Sequence, residues 1–180
     1  RITEFVDIFK NEIAGLDSRD KALIFVSFFN VLGSHSLDLA AANDVIALFK
    51  GELANLSGSE KALVLVAFFK ATGDRGLNLA LAQEALNLFK AELANLSGQD
   101  KAKVFSAIFN AAGTGNLARA VVVDALALLK SEIDNSRLSQ PEVAQILVAL
   151  AQNAGKGQLG AGDAQVFIQQ EFGGLATPLK

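Results

Sequence analysis

The chain contains no cysteine, methionine, tryptophan or tyrosine among its 180 residues, although average usage would supply about fifteen of these together. Without cysteine there is no disulfide, thiolate nucleophile or thiolate metal site. The missing types are readily oxidised, cysteine and methionine through successive sulfur oxidation states. The composition therefore fits either a protein exposed to oxidants or light, or the biased composition of a repetitive extracellular or structural protein.

Excess positive charge and long apolar runs are absent as well. Lys and Arg number 16 against 19 Asp and Glu, which gives a formal net charge of −3. A nucleic-acid surface needs a basic stripe to neutralise phosphates, and here the basic residues stand singly, so no nucleic acid is expected as a partner. The apolar run 62–69 is far shorter than the ~18 residues of a membrane span. No transmembrane segment is therefore expected.

The residues that are present favour a folded chain. Hydrophobic residues make up 51% and charged residues 19%, whereas disordered chains combine low hydrophobicity with high net charge. A chain of this length suits one domain, or two small ones, and buries roughly 70% of the surface that its unfolded state exposes. We therefore expect a sizeable core.

An internal repeat is the strongest positive signal. Residues 51–90 align with 91–130 without a gap, and roughly half the positions are identical. Such a repeat is typical of stacked supersecondary units, in which the terminal unit diverges because one of its faces has no neighbour. We divide the single all-helical domain 1–180 into a partial unit 1–10, three units 11–50, 51–90 and 91–130, and a divergent cap 131–175.

Each unit is predicted to hold two helices. The apolar stripe of one helix is spaced by three and four residues, as at Leu79, Ala82, Leu86, Phe89, Leu93 and Leu96. The other helix starts at a capping signature, an oxygen-bearing side chain followed three residues later by an acid. The four signatures are Asp17 with Asp20, Ser57 with Glu60, Ser97 with Asp100 and Ser139 with Glu142, of which the two Ser–Glu pairs match best.

Glycines mark the predicted ends of these capped helices. They are Gly33, Gly73, Gly113 and Gly155, and glycine readily takes the left-handed conformation that follows a helix. The capped helices over 21–33 and 61–73 are apolar on nearly every side, so we expect other helices to enclose them. The prediction is an all-α fold of about eight helices in four tandem hairpins, forming a compact bundle or a short α-solenoid.

Catalytic groups are few. The only imidazole is His35, between Ser34 and Ser36 in a predicted turn, and adjacent residues rarely point at one another productively. The other repeats place Arg75 and Gly115 at this position, so we interpret His35 as an exposed loop residue. No pairing of carboxylates or lysines that would support acid–base catalysis is apparent, and the chain is predicted not to be an enzyme.

Metal and nucleotide sites are not indicated. Zinc takes several His or Cys ligands and calcium a loop of spaced carboxylates, which the predicted loops lack. The segment Gly155-Lys-Gly-Gln-Leu-Gly160 matches G-x-G-x-x-G, but that fingerprint works where it joins a strand to a helix. Because it follows a predicted helix here, we interpret it as an inter-helix loop. No metal or cofactor is predicted, apart from a bound lipid or pigment.

Phenylalanine occurs 13 times and concentrates on the capped helices. Each ring taken alone is typical of core packing, but a core built largely of rigid rings, Ala and Gly packs imperfectly and can leave an apolar cavity. We therefore predict that a hydrophobic small molecule such as a fatty acid, retinoid or carotenoid binds between the helices. The candidate lining residues are Phe25, Phe28, Phe29, Phe68, Phe69, Phe105 and Phe109.

Two N-x-S sequons lie at equivalent places in neighbouring repeats. Asn55 and Asn95 are candidate glycosylation sites if the protein is secreted or extracellular, although Ser57 and Ser97 are also needed as helix caps. The first residue, Arg1, suggests a processed or excised chain. The alternative function is a structural, self-assembling repeat segment of a larger extracellular protein, whose partners are copies of itself.

Two short segments resemble known families. The helix starts over 56–62 and 96–102, Leu-Ser-Gly-x-(Glu/Asp)-Lys-Ala, resemble those of secreted nematode fatty-acid and retinol-binding proteins. The segment Phe105-Ser-Ala-Ile-Phe-Asn110, with Gly113 and Leu117 after it, resembles the helical repeats of spider silk proteins. Both resemblances are short and rest on capping and helix-forming residue types, so no site is transferred from either family.

Overall fold

The computed structural model describes residues 2–34, 39–75 and 79–176. Within these ranges the chain is helical and contains no β-strand, which confirms the all-α prediction. Short 3-10 turns follow three of the helices, at Ile13–Gly15, Leu53–Asn55 and Leu93–Asn95. The described helices are α1 (Ile2–Glu12), α2 (Ser18–Ser34), α3 (Leu39–Glu52), α4 (Gly58–Arg75), α5 (Leu79–Glu92), α6 (Gly98–Gly113), α7 (Arg119–Asp134), α8 (Gln140–Asn153) and α9 (Ala161–Ala176).

The capping signatures start the even-numbered helices, as expected. The backbone N–H of Asp20 donates to Asp17 at 2.8 Å, and that of Asp100 donates to Ser97 Oγ at 3.1 Å. The Ser57–Glu60 pair is reciprocal, because each backbone N–H donates to the other residue's side chain. The Ser139–Glu142 pair forms the same capping box. These bonds satisfy N–H groups that lack partners within the helix.

The helices α1, α3 and α5 end earlier than their apolar stripes. The stripe predicts one helix through Leu96, but α5 ends at Glu92 and a 3-10 turn over Leu93–Asn95 follows. Leu96 is extended, with φ −107° and ψ 141°, yet still buried. Ser97 must leave the helical conformation to cap α6, so only four residues remain to turn the chain, and a tighter 3-10 turn supplies the bend.

The helices form two layers. The even-numbered helices pack extensively on one another in chain order, α2 on α4, α4 on α6 and α6 on α8. The odd-numbered helices lie alongside, with α1 against α3 and α5 against α7. Each unit contacts the next, so the hairpins stack in the order of the sequence, as expected for a repeat with nearest-neighbour interfaces.

Glycines in the even-numbered helices mark close approaches rather than left-handed ends. A Cβ at Gly33 would lie 3.0 Å from Ala71 Cα, and one at Gly73 would lie 2.9 Å from Ala111 Cα. Both glycines are helical and Gly113 is the last residue of α6, so the predicted left-handed role is wrong at all three. Glycine is needed at Gly33 and Gly73 because neighbouring backbones come too close for a side chain.

The expectation that α2 is enclosed by other helices is also wrong. The capped helix α4 lies between α2 and α6, but α2 lies at the N-terminal end of the even-numbered layer. Its Val31 is 41% exposed, whereas the equivalent Ala71 of α4 is buried. Because α2 is apolar around most of its circumference and packs against α4 on one side only, a stripe of its apolar side chains is exposed to solvent.

Candidate functional site

The predicted phenylalanine cluster is part of the packed core. All seven rings are buried, and they contact one another and the rings of Phe9, Phe49 and Phe89. Phe29 stacks on Phe68 with ring centroids 4.5 Å apart and planes inclined by 15°. Such ring pairs add roughly 1 kcal/mol each beyond the area they bury. The binding role predicted for these rings stays a prediction.

Phe28 alone of the seven also borders an apolar groove. This N-terminal groove has a volume of about 630 Å³ and lies between α1 and α2. Its most exposed apolar side chains are Phe5 and Ile8, which are 65% and 60% accessible to solvent. The lining residues are Phe5, Ile8, Phe9 and Glu12 of α1, Leu16 beyond it, and Ile24, Ser27, Phe28 and Val31 of α2.

Most apolar residues of the N-terminal groove recur at buried positions in the next unit, and Leu48, at the position of Ile8, is half-buried there. Forty residues after Phe5 stands Val45, and forty after Phe28 stands Phe68, and both are fully buried. Likewise Ile24 corresponds to Val64 and Val31 to Ala71. Inside the stack this groove recurs between α3 and α4, where α2 fills it: Phe29 covers Phe68 and Gly33 meets Ala71.

A series of shielded ion pairs, which was not predicted from the sequence, links the two layers. The ammonium of Lys21 lies 2.9 Å from the Glu52 carboxylate, and Lys61 and Lys101 make the same pair with Glu92 and Glu132. No side chain in these pairs is more than 16% exposed. The signal was present in the sequence, because these lysines and glutamates both recur with the period of the repeat and keep a constant separation along the chain.

A second donor holds each of these carboxylates. Asn55 Nδ2 donates to Glu52 at 3.0 Å and Asn95 Nδ2 donates to Glu92 at 3.1 Å, whereas an arginine guanidinium serves Glu132. Burial raises the pKa of Glu52 and Glu92, but hydrogen bonds from asparagine and lysine and the lysine charge outweigh it, so both pKa values fall below 4.5. Both carboxylates are thus held ionised.

Glu12 takes the same repeat position at the N-terminal groove. It corresponds to Glu52, Glu92 and Glu132, yet it is exposed and pairs with no basic group among the described residues. The lysine equivalent to Lys21 would belong to a helix filling the groove. The groove thus presents one carboxylate beside a wall of apolar side chains.

The C-terminal end of the stack differs from the N-terminal end. At the position of Phe29, Phe69 and Phe109, α8 carries Ala151, and at the position of the paired lysines it carries Val143. Ala151 and its neighbour Gln152 are exposed. A terminal unit with small and polar residues on its outer face is typical of a cap.

The remaining sequence candidates are scattered. Asn55 and Asn95 are exposed in 3-10 turns, and their glycosylation stays a prediction. His35 and Ser36 lie outside the described residues. The Gly155–Gly160 segment joins α8 to α9, which confirms the inter-helix loop, and Gly155 takes the predicted left-handed conformation with φ +79°.

Two further features concern metals and membranes. The described side chains include no group of three or more His, Asp or Glu residues placed to hold a metal ion. Among the helices of residues 2–34, 39–75 and 79–176, none combines the length and apolarity needed to cross a bilayer.

Comparison with protein-family models, curated proteins and solved structures finds no match to this chain.

Proposed function

We propose that this chain is a non-catalytic structural repeat module that assembles through its N-terminal end. One observation carries the proposal: most apolar side chains of the N-terminal groove stand at positions that are buried in the following unit. The groove therefore has the form of the repeat interface that the following units fill with a helix.

Energetics support a role in association. Phe5 and Ile8 are largely exposed, and fully burying such a side chain is worth roughly 1.5–3 kcal/mol. Contiguous exposed apolar surface of this kind marks interaction sites in folded proteins. Because α8 carries Ala151 where the other even-numbered helices carry a phenylalanine, we expect association to use the N-terminal end. A pure sample would then pair two such ends in a closed dimer rather than grow into a fibre.

Analytical ultracentrifugation from micromolar to millimolar chain concentration tests the proposal. We expect concentration-dependent self-association that the double variant Phe5→Lys, Ile8→Lys abolishes. Val148→Lys is the matched control, because Val148 is 55% exposed on α8 at the other end. A chain that stays monomeric throughout, or one that only Val148→Lys dissociates, overturns the proposal.

A second candidate function is carriage of a hydrophobic small molecule, such as a fatty acid, retinoid or carotenoid. The groove volume of about 630 Å³ favours it, because ligand sites typically measure roughly 300–1,000 Å³. Retinol fluorescence is a direct probe. Carriage predicts one saturable site that the Phe5→Lys, Ile8→Lys variant weakens at least tenfold, and it is rejected if retinol partitions without saturation.

An extracellular location belongs to the structural proposal. Its support is the exposure of both sequon asparagines, Asn55 and Asn95. Expression of the chain behind a secretion signal in a eukaryotic host tests their use. We expect a glycosidase-sensitive mass increase that the Asn55→Gln, Asn95→Gln variant lacks, and an unmodified secreted chain would show that the sequons are not used.

A further inference from the structure

We propose that the N-terminal groove is a receptor for one amphipathic α-helix that carries the pattern Lys-x7-Phe-x3-Gly. The inference rests on the proposed structural function and names the partner. It commits to a helix of the repeat type as the occupant, rather than to a lipid, and the second copy that closes a dimer in a pure sample is a competitor for the same groove.

The pattern is taken from α2, α4 and α6, each of which packs against the next even-numbered helix. Each even-numbered helix before the cap carries a lysine, a phenylalanine eight residues later and a glycine four residues after that. The three sets are Lys21, Phe29 and Gly33 in α2, Lys61, Phe69 and Gly73 in α4, and Lys101, Phe109 and Gly113 in α6. In the divergent last unit, α8 carries Val143 and Ala151 in place of the lysine and the phenylalanine.

Each residue of the pattern has a defined contact where α2 fills the interface between α3 and α4. Lys21 pairs with Glu52 of α3, and Phe29 stacks on Phe68 of α4. Gly33 lets the two backbones approach at Ala71. The three features lie at spacings of eight and four residues, which places them near one side of a helix.

The N-terminal groove offers the counterpart of each contact, forty residues earlier. Glu12 corresponds to Glu52, Phe28 to Phe68 and Val31 to Ala71. Glu12 supplies a negative charge for the lysine and Phe28 a ring face for the phenylalanine. Val31 is larger than Ala71, so the incoming helix needs its glycine at that point. The groove continues an interface that recurs along the stack, and this continuity identifies its occupant.

A labelled peptide of residues 17–34, which contains α2 and its Asp17 cap, tests the proposal by fluorescence anisotropy against the full chain. We expect saturable one-to-one binding in the micromolar range. Phe5→Lys with Ile8→Lys in the chain should weaken binding at least tenfold, whereas Val148→Lys should leave it unchanged. A Phe29→Ser peptide should bind at least tenfold more weakly than the unmodified one.

A charge swap gives the sharpest control. Glu12→Lys in the chain and Lys21→Glu in the peptide should each weaken binding severalfold, and the two together should restore it. Restoration is expected only if these two residues meet in the complex, so loss in the singles without recovery in the pair overturns the predicted register.

The outcomes separate this inference from the proposed function. A chain that self-associates through Phe5 and Ile8 but binds no peptide refutes the helix receptor and leaves the structural function standing. A chain that neither self-associates nor binds the peptide refutes both. Peptide binding that dissociates the self-associated chain supports both, because the helix and the second copy then compete for one groove.

Discussion

The ammonium of Lys61 lies 2.9 Å from the carboxylate of Glu92, and their side chains are only 10% and 14% exposed. Lys61 lies near the start of α4 and Glu92 ends α5, so the pair joins the two layers and links one unit to the next. The lysine side chain spans the layers while its charge is neutralised. This arrangement recurs in the units before and after it.

Loss of one partner should be costly. We expect Lys61→Met to lower the free energy of unfolding by about 3 kcal/mol, because Glu92 keeps its charge but loses its ammonium partner. Denaturant unfolding measures the change. Lys10→Met is the control, since Lys10 pairs with Asp44 at 3.5 Å on an exposed surface where an ion pair is worth under about 1 kcal/mol. Equal losses in the two variants would contradict a structural role for the shielded pair.

Acid should remove part of this stabilisation. The pKa of Glu92 in the folded chain lies below its ordinary value of 4.5, so the native state binds fewer protons than the unfolded state in that range. The contribution is then present above about pH 4.5 and is lost as the pH falls through the lowered pKa. Between pH 6 and pH 3 the free energy of unfolding should fall less steeply in the Glu92→Gln variant than in the parent chain. Parallel curves for the parent and the variant would contradict the prediction.

Gly73 should tolerate no side chain. A methyl group there would lie 2.9 Å from Ala111 Cα, so Gly73→Ala must separate α4 from α6 and should destabilise the chain by roughly 1–3 kcal/mol. Gly51 offers a control within α3, because a methyl group at that position would have no neighbour within 4 Å. Gly51→Ala should stabilise by up to about 1 kcal/mol. Thermal unfolding of both variants measures the two stability changes, which we expect to have opposite signs. A Gly73→Ala variant as stable as the parent would contradict the close approach of α4 and α6.

The capping box of α4 should contribute measurably. Ser57→Ala removes the side-chain acceptor for the backbone N–H of Glu60 and should cost about 1 kcal/mol. Ser59 lies exposed in the first turn of the same helix, and Ser59→Ala should stay within about 0.5 kcal/mol of the parent. Chemical denaturation measures the free energy of unfolding of the two variants. A larger effect at Ser59 than at Ser57 would contradict the assigned cap.

Local signals in the sequence predicted most of the fold. The Ser–Glu spacing located the starts of α4 and α8, and the apolar period identified the helices, because both depend on residues within one or two turns. The role of Gly33 could not be predicted this way. Its constraint is Ala71 Cα on the neighbouring helix, and a glycine near a helix end is equally compatible with a left-handed turn and with a close crossing.

The candidate site shows the same limit. The number and rigidity of the phenylalanine rings suggested a central cavity, yet whether rings interlock depends on the crossing geometry of helices that the period does not specify. The N-terminal groove was readable in principle, since Phe5 and Ile8 repeat the pattern of Val45 and Leu48. Recognising it requires the stacking order of the helices. That order shows that the equivalent groove between α3 and α4 is filled by α2 of the preceding unit.

Methyl NMR of the full chain with the 17–34 peptide tests the central claim most directly. If the N-terminal groove receives a repeat helix, the methyl resonances of Ile8, Ile24 and Val31 shift on titration, while those of Val148 and Val166 near the C-terminal end stay in place. Shifts confined to Val148 and Val166, or no shifts at all at saturating peptide, would contradict the account.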